Sequence, residues 1–458
     1  MIGAWFGRGS APAVPMRLLN WCLCWILLPN LPFVVMWIVG APPRYPEIIM
    51  VGIIGLVVRK ASFGWRYAAF AAALAFALIL FISSIFNVAL VALFFSVQFL
   101  LELRPAASPE YLGMAAAIVL TLLAGWRLLR LPADFESPWQ LAGAAALLCA
   151  YAALDKAMSD HTRGAYARSA PPGAPFSSAA AQTRFGATGD RHLVMVMVEA
   201  MGLPRDPALR AQLLSRWHAP DIARLYTVET GSTAFYGSTV NAEVRELCGR
   251  WGTYDSLLEA RDDGCLPARL AARGYETSAV HAFEGGLFER TGWYPNAGFR
   301  TALFREDLLR LGAEPCAGMF PGACDKDVPQ IIGARLKAAT AKQFVYWLTL
   351  NTHLPVPDDA RMNTGNCEKF DRALARTHAM TCRLFRMWSE LDASLAAMLT
   401  DPALPPADIL IVGDHAPPFF DSRGRSLFDG GRVPWVMLRR RNDAASAASA
   451  PAEPAARR

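Results

Sequence analysis

The sequence predicts two architectures in one chain: an N-terminal helical transmembrane bundle, then an α/β domain with a mainly parallel central sheet. Three observations carry this reading. Of the 458 residues 53% are hydrophobic, and the excess is concentrated between residue 17 and about residue 155. Beyond residue 190, short apolar strands alternate with amphipathic helices, as in a parallel sheet covered on both faces. Finally, "LVMVMVEAMG" (193–202) runs six apolar residues straight into a glutamate. Such a strand, buried on both faces, delivers a carboxylate that is costly to dehydrate without a compensating charge.

Crossing a bilayer takes about 20 apolar residues. The runs 17–40, 67–85, 86–103, 111–131 and 139–155 approach that length, and a shorter run, 47–58, fits a short span, a re-entrant segment or an interfacial helix. The first run is too long for a signal-peptide core and lacks a small-residue cleavage site, so it reads as an uncleaved anchor. The expected layout is a transmembrane domain of about five spans (1–156), a linker rich in Ala, Ser, Gly and Pro (157–190), one large domain (191–441) and a disordered tail (442–458). Charge divides between topologies. Arg8, Arg17, Arg127 and Arg130 favour a cytoplasmic N-terminus with the second half outside, whereas one five-span arrangement also places Arg59, Lys60 and Arg66 outside. Six spans would put the second half inside.

Cysteines favour the outside. Cys248, Cys265, Cys316, Cys324, Cys367 and Cys382 all lie in the second half, with no metal-type CxxC pair. That usage suggests disulfides in an oxidising compartment, sequence neighbours being the simplest pairing. The net charge of +6 comes from dispersed residues, which gives no support to a nucleic-acid partner.

In the second half, strands are expected at 193–198, 276–280, 343–350, 407–412 and 433–438, and helices at 255–273, 328–341 and 376–400. Polar residues follow the strands: Glu199, then His281, then Asn351 and His353, then Asp414 and His415. Open α/β sheets bind ligands beyond the carboxyl ends of their strands, so these side chains are expected on one edge. Glu199, Asp414 and His415 form a donor set suited to zinc, with manganese or magnesium also compatible. The plainer alternative for "GDHAPPF" is a capped turn with a satisfied histidine. The stretch "TGSTAFYGSTVNAE" (230–243) is crowded with hydroxyls. A hydroxyl acidified by a divalent ion is a usable nucleophile, and a helix opening here would also favour an anion. At this level Thr233, Ser238 and Thr239 all remain open, as does a polar turn with no chemistry.

The motifs "VEAMG", "GSTVNAE", "GYETSAVHAFEGGLFER", "TLNTHLPV" and "GDHAPPF" resemble, in order and spacing, those of the lipoteichoic acid synthase-like enzymes. These belong to the alkaline phosphatase and sulfatase superfamily, alongside the phosphoethanolamine transferases, and the resemblance covers roughly residues 190–440. It implies a sulfatase-like catalytic domain on the periplasmic face of a bacterial inner membrane. It also implies Glu199, Asp414 and His415 as ligands of one divalent ion, zinc or manganese before magnesium, with Thr239 as metal-contacting nucleophile. His281 and Arg290 fall where phosphate and head group are held, and His353 beside the transferred phosphoryl group. Phe288 stands where many glycerol-phosphate enzymes carry tryptophan, and the Cys-x-Pro-x-Arg signature of sulfate-ester hydrolases is absent. The implied activity moves phosphoglycerol or phosphoethanolamine from a phospholipid donor to an envelope glycan or lipopolysaccharide through a phospho-threonine. A phosphodiesterase or phosphatase, and a catalytically silent sensor or assembly protein, are the competing expectations.

Overall fold

The computed structural model describes residues 14–39, 42–86, 90, 109–159, 170–187, 191–318, 320–419 and 422–442. The chain divides into two compact units, residues 1–90 with 108–166, and residues 91–107 with 167–458.

In the first unit the expected run 17–40 is not one helix. It forms an α-helix, Val14–Cys22, a π-turn, Leu23–Leu27, a 3₁₀ stretch, Leu28–Phe33, and a short helix, Val35–Val39. The break has a local cause: Pro29 and Pro32 remove amide donors from the ladder. The other helices are Tyr45–Val58, Phe63–Phe86, Pro109–Leu128 and Pro138–Ser159. Two of these are long and apolar enough to cross a membrane, over Phe63–Ser84 and Pro138–Ser159, with mean hydropathies of 2.1 and 1.4. The expected span 86–103 falls almost wholly outside the described residues.

Side-chain contacts sort the helix ends of this unit into two groups. At one end, Arg17 pairs with Asp134 at 2.8 Å, Asn20 bonds to the Pro132 carbonyl, Arg59 to that of Phe135 and Arg66 to that of Leu131, and Lys60 pairs with Glu136. At the other end, Asp155 accepts from Trp37 Nε1 at 2.9 Å and from the Arg44 amide at 2.6 Å. The chain passes from the first end to the second over 17–37, returns over Tyr45–Val58, and leaves again over Phe63–Phe86. Pro109–Leu128 and Pro138–Ser159 repeat the return and the departure.

The second unit is built on a seven-stranded sheet: β1 (His192–Val198), β2 (Tyr226–Ala234), β3 (Glu276–His281), β4 (Thr301–Leu303), β7 (Gln343–Leu348), β8 (Ala407–Gly413) and β9 (Arg432–Arg440). A separate two-stranded ribbon joins β5 (Pro315–Cys316) to β6 (Gly322–Ala323). The order across the main sheet is β2-β9-β8-β1-β7-β3-β4. Neighbours are parallel from β8 to β4, and β9 alone runs against the rest. The continuous apolar run of β1 now has its reason. Val194, Val196 and Val198 pack into one core with the helices Val328–Ala338 and Ala379–Thr400, while Leu193, Met195 and Met197 pack into the opposite core. The period of two carries alternate side chains to opposite faces, and both faces are covered.

The five expected strands are present to within two residues at each end, and the sheet also holds β2 and β4, which were not expected. The expected helix 255–273 is two helices, Asp255–Glu259 and Leu266–Ala272, since Gly264 and Pro267 interrupt it. Three disulfides join sequence neighbours: Cys248–Cys265, Cys316–Cys324 and Cys367–Cys382. Within the expected linker, residues 176–187 pack as part of this unit. Ala179 is fully buried and Thr183 and Phe185 nearly so, and the short helix Ala179–Gln182 is capped by Ser178. Of the expected tail, only Asn442 is among the described residues.

Candidate functional site

The carboxyl ends of β1, the central strand, and of its neighbour β8 meet the N-terminus of the helix Thr239–Cys248. Thr239 Oγ1 lies 2.9 Å from Asp414 Oδ2, 3.1 Å from Glu199 Oε2 and 3.4 Å from His415 Nε2. His415 Nε2 is 3.3 Å from Asp414 Oδ2 and 3.5 Å from Glu199 Oε1. Four donor atoms from three separate chain segments therefore converge on one point.

Local structure explains why they do. Ala200 adopts a left-handed conformation, φ 56°, which turns the chain sharply after β1 and costs about 1 kcal/mol or more. The turn lets the Ala200 amide donate to Asp414 Oδ1 at 2.8 Å, and the His415 amide donates to the same oxygen at 2.6 Å. One carboxylate oxygen is thus fixed by backbone and the other faces the cluster. Residue 413 must be glycine, because a Cβ there would lie 2.0 Å from the Met201 carbonyl oxygen. His415 Nδ1 donates to the Ala416 carbonyl at 3.0 Å, leaving the Nε2 lone pair for the cluster, the arrangement that orients ligating histidines. Thr349 accepts from the Glu199 amide and Thr352 donates to the Glu199 carbonyl, at 3.0 and 2.6 Å, gripping that residue from the loop after β7.

Electrostatics tests whether these residues suit a cation. Burial, and then the Asp414 carboxylate, push the Glu199 carboxyl well above its ordinary pKa. Two buried carboxylates with one atom of each within 4.8 Å of the other and of a histidine nitrogen ionise together only with a positive charge beside them. The donor set and this mutual penalty fit one divalent ion.

Three further expected residues are His353, His281 and Arg290. His353 Nδ1 donates to the Leu354 carbonyl at 2.7 Å. Burial, and then the neighbouring His415, depress its pKa to about 4, so a neutral ring presents Nε2 as a proton acceptor. His281, at the end of β3, donates from Nδ1 to the Leu348 carbonyl at 3.2 Å, and burial followed by the Arg290 charge holds it well below its ordinary pKa. Arg290 also acts on Glu199 electrostatically, opposing the rise in its pKa. Asn351 is not part of the centre: its side-chain oxygen accepts from the Asp325 amide and its nitrogen donates to the Ala323 carbonyl. Thr233 also lies elsewhere, fully buried and bonded to Ser177. Ser238 caps the helix in a reciprocal box with Asn241. Of the three hydroxyls left open by the sequence, only Thr239 is bonded to the acidic residues.

Two supporting networks were not anticipated from sequence. Arg290 donates to Glu243 Oε2 at 2.9 and 3.1 Å, and the Tyr294 and Tyr346 hydroxyls donate to Glu243 Oε1 at 2.6 and 3.1 Å. Burial alone would lower the Arg290 pKa, but Glu243 outweighs it and holds the guanidinium charged. The preceding Phe288 and Glu289 are both left-handed, with φ of 55° and 53°. Their turn directs Arg290 inward, with its guanidinium carbon 5.3 Å from the centre of the Phe288 ring. On the other side Arg245 donates to the Gly413, Asp414 and Ala234 carbonyls and pairs with Glu246.

A family model described as Sulfatase matches residues 191–451. No curated protein matches the chain. Among solved structures the chain is similar to the lipoteichoic acid synthase LtaP from Listeria monocytogenes, at 16% identity over 55% of this chain and 66% of that one, TM-score 0.41. It is similar to the phosphoglycerol transferase GacH from Streptococcus pyogenes, at 18% identity over 54% and 68%, TM-score 0.37. A third is the integral membrane protein lipooligosaccharide phosphoethanolamine transferase A from Neisseria meningitidis, at 12% identity over 90% and 88%, TM-score 0.41. The chain thus spans just under two thirds of the Listeria synthase's length.

Proposed function

This chain belongs to the sulfatase family, and within it we propose a membrane-anchored transferase. The reading moves phosphoglycerol, or alternatively phosphoethanolamine, from a membrane phospholipid to an envelope glycan or lipopolysaccharide. The observation that carries it is the convergence of Thr239 Oγ1 on Glu199, Asp414 and His415 at the mouth of β1 and β8. A threonine stands there, and no Cys-x-Pro-x-Arg signature surrounds it, which favours phosphoryl over sulfate chemistry.

Glu199, Asp414, His415 and Thr239 would hold a divalent ion, zinc or manganese before magnesium, which when bound supplies positive charge that acidifies the hydroxyl and neutralises phosphoryl oxygens. Thr239 Oγ attacks the donor phosphorus, the bond to the diacylglycerol oxygen breaks, and that alcohol leaves with a proton. An acceptor hydroxyl then attacks the phospho-threonine; the bond from phosphorus to Thr239 breaks and a new phosphodiester forms. The helix N-terminus at Thr239 and the Arg290 guanidinium stabilise the phosphoryl oxygens. His353, neutral with Nε2 free, takes the proton of the acceptor hydroxyl.

The first unit supports anchoring with the second half outside. The structure gathers Arg17, Arg59, Lys60, Arg66 and Arg130 at one helix end, where Asp134 and Glu136 pair with Arg17 and Lys60. At the other end Arg44 meets Asp155 and Glu47, and Lys156 lies over the Tyr45 ring. The positive-inside rule favours the first end as the cytoplasmic one, and the described residues make five passes between the two ends, an odd number that agrees with the second half outside. The three disulfides agree with an oxidising exterior. An alkaline phosphatase reporter fused after residue 157 is expected to be active; an inactive one, with a cytoplasmic reporter active at the same point, overturns this orientation.

Intact mass spectrometry of the full-length protein with zinc and candidate phospholipids tests the chemistry. A gain of about 154 Da is expected for phosphoglycerol, or about 123 Da for phosphoethanolamine, on a threonine nucleophile. Rapid lipid turnover with no adduct and no acceptor dependence would instead identify a hydrolase. Neither adduct, metal binding nor turnover would identify a silent relative.

A further inference from the structure

The segment before β1 makes a connection that no catalytic step uses. Its short helix Ala179–Gln182 opens with two amides, of Ala179 and Ala180, that donate to the two oxygens of Glu246 at 3.1 and 2.8 Å. Glu246 is in turn paired with Arg245 Nε at 2.7 Å, and both side chains are essentially sealed from solvent, 0% and 1% exposed. Arg245 spends its other nitrogens on backbone: the Gly413 carbonyl at 2.9 Å, that of Asp414 at 3.2 Å and that of Ala234 at 3.4 Å. A continuous chain of hydrogen bonds therefore runs from the segment that follows the first unit to the loop that carries Asp414 and His415. The segment is tied down at further points, with Ser177 bonded to Thr233 at 2.9 Å and Gln182 accepting from Trp435 Nε1 at 3.1 Å.

The physical consequence follows from burial. Arg245 has no exposed route to water, so its charge depends on Glu246, and Glu246 depends on the two helix amides for the rest of its hydrogen bonding. Undocking the helix would strand a buried carboxylate, and the readjustment would fall on the partner that grips the Gly413–Asp414 backbone. Neither residue faces the reacting atoms.

We propose that Arg245 and Glu246 are positioning residues that join the segment Ser177–Thr183 to the Asp414–His415 loop, so that the metal centre keeps its geometry only while that segment is docked. The proposal rests on the reading of Glu199, Asp414 and His415 as metal ligands. Its consequence is that the segment preceding β1 belongs to the active domain, and that a domain cut at residue 190 lacks part of the support for its own metal site.

The test uses full-length protein in detergent and zinc alone as the probe. Ala180→Pro removes one amide donated to Glu246 while leaving both buried charges in place, and proline is tolerated in the first turn of a helix. Glu246→Gln keeps the shape and weakens the pair. Each variant is expected to bind zinc about tenfold more weakly, the scale on which supporting residues act on metal affinity. Amide hydrogen exchange should rise both at 177–183 and at 413–416, and the thermal midpoint of the zinc-free protein should fall less in Ala180→Pro than in Glu246→Gln, which leaves the buried Arg245 charge without its counter-ion. If exchange rises at 177–183 while zinc affinity and exchange at 413–416 stay at wild-type values, the proposal is overturned. The same follows if neither variant changes zinc affinity. A wild-type protein that binds no zinc refutes the metal reading instead, and exchange at 413–416 then decides the connection alone.

Discussion

Thr239→Ala is expected to lower transfer by at least about a thousandfold and to abolish the covalent adduct, with lipid affinity little changed. The expectation rests on geometry. Thr239 Oγ1 has Asp414, Glu199 and His415 as its bonded neighbours, so its loss removes the nucleophile and one hydrogen bond, while Asp414 keeps the Ala200 and His415 amides as donors. Position N1 of a helix tolerates alanine, and the cap is made by Ser238 with Asn241, so the helix Thr239–Cys248 should form as before. Thr239→Ser, which keeps the hydroxyl, should retain activity to within about tenfold, whereas Thr239→Val, which keeps the shape, should behave as alanine does. The readouts are initial rates of diacylglycerol release and the intact mass of the protein after reaction with donor lipid. An alanine variant that keeps more than about a tenth of wild-type activity would sink the phospho-threonine mechanism. The neighbouring hydroxyls do not offer an easy substitute. Ser238 is held by Asn241, and Thr233 is buried against Ser177.

What the sequence disclosed and what it hid divide along physical lines. β1 and β8 were legible because a strand buried on both faces is continuously apolar, and their ends exposed Glu199, Asp414 and His415 as residues in need of a partner. β2 was hidden because "YTVETGSTA" is polar and only Tyr226 and Thr233 are fully buried in it. It is an edge strand, paired with β9 on one side only, and edge strands need not be apolar. The first apolar run read as one span because composition alone does not register the breaks at Pro29 and Pro32. The networks behind the site were hidden for a different reason. In the helix Thr239–Cys248, residues Val240 to Leu247 are all buried, charged residues included. Polar helix positions usually are solvated, so residue type alone does not mark Glu243, Arg245 and Glu246 as buried. Only tertiary structure shows that each has its counter-charge inside. Arg290 was legible through its motif, but its partner Glu243 was not, because 47 residues separate them.

Glu243→Ala is the substitution expected to damage stability most. It would leave the Arg290 guanidinium, 2% exposed, without its counter-ion, and would take the carboxylate acceptor from the hydroxyls of Tyr294 and Tyr346. Removing one partner of a buried ion pair costs about 3–5 kcal/mol, because the surviving charge is neither solvated nor neutralised. For a domain of this size that corresponds to a fall of roughly 10 °C in thermal midpoint. A variant melting within about 2 °C of wild type would show that water or another carboxylate reaches Arg290 and that the pair is not the buried interaction described here. The double variant Glu243→Ala with Arg290→Met separates charge from packing. With both charges gone the penalty for an unpaired ion disappears, and much of the lost stability should return. Activity should not return, because the guanidinium proposed to face the phosphoryl group is absent. If the double variant remains as unstable as Glu243→Ala, the loss lies in packing around Tyr294 and Tyr346. If it regains activity together with stability, Arg290 serves the fold alone and the phosphoryl group is held by other residues. Stability recovered without activity would mean that Glu243 is retained because Arg290 is needed beside the metal centre, where its charge must be buried and yet kept.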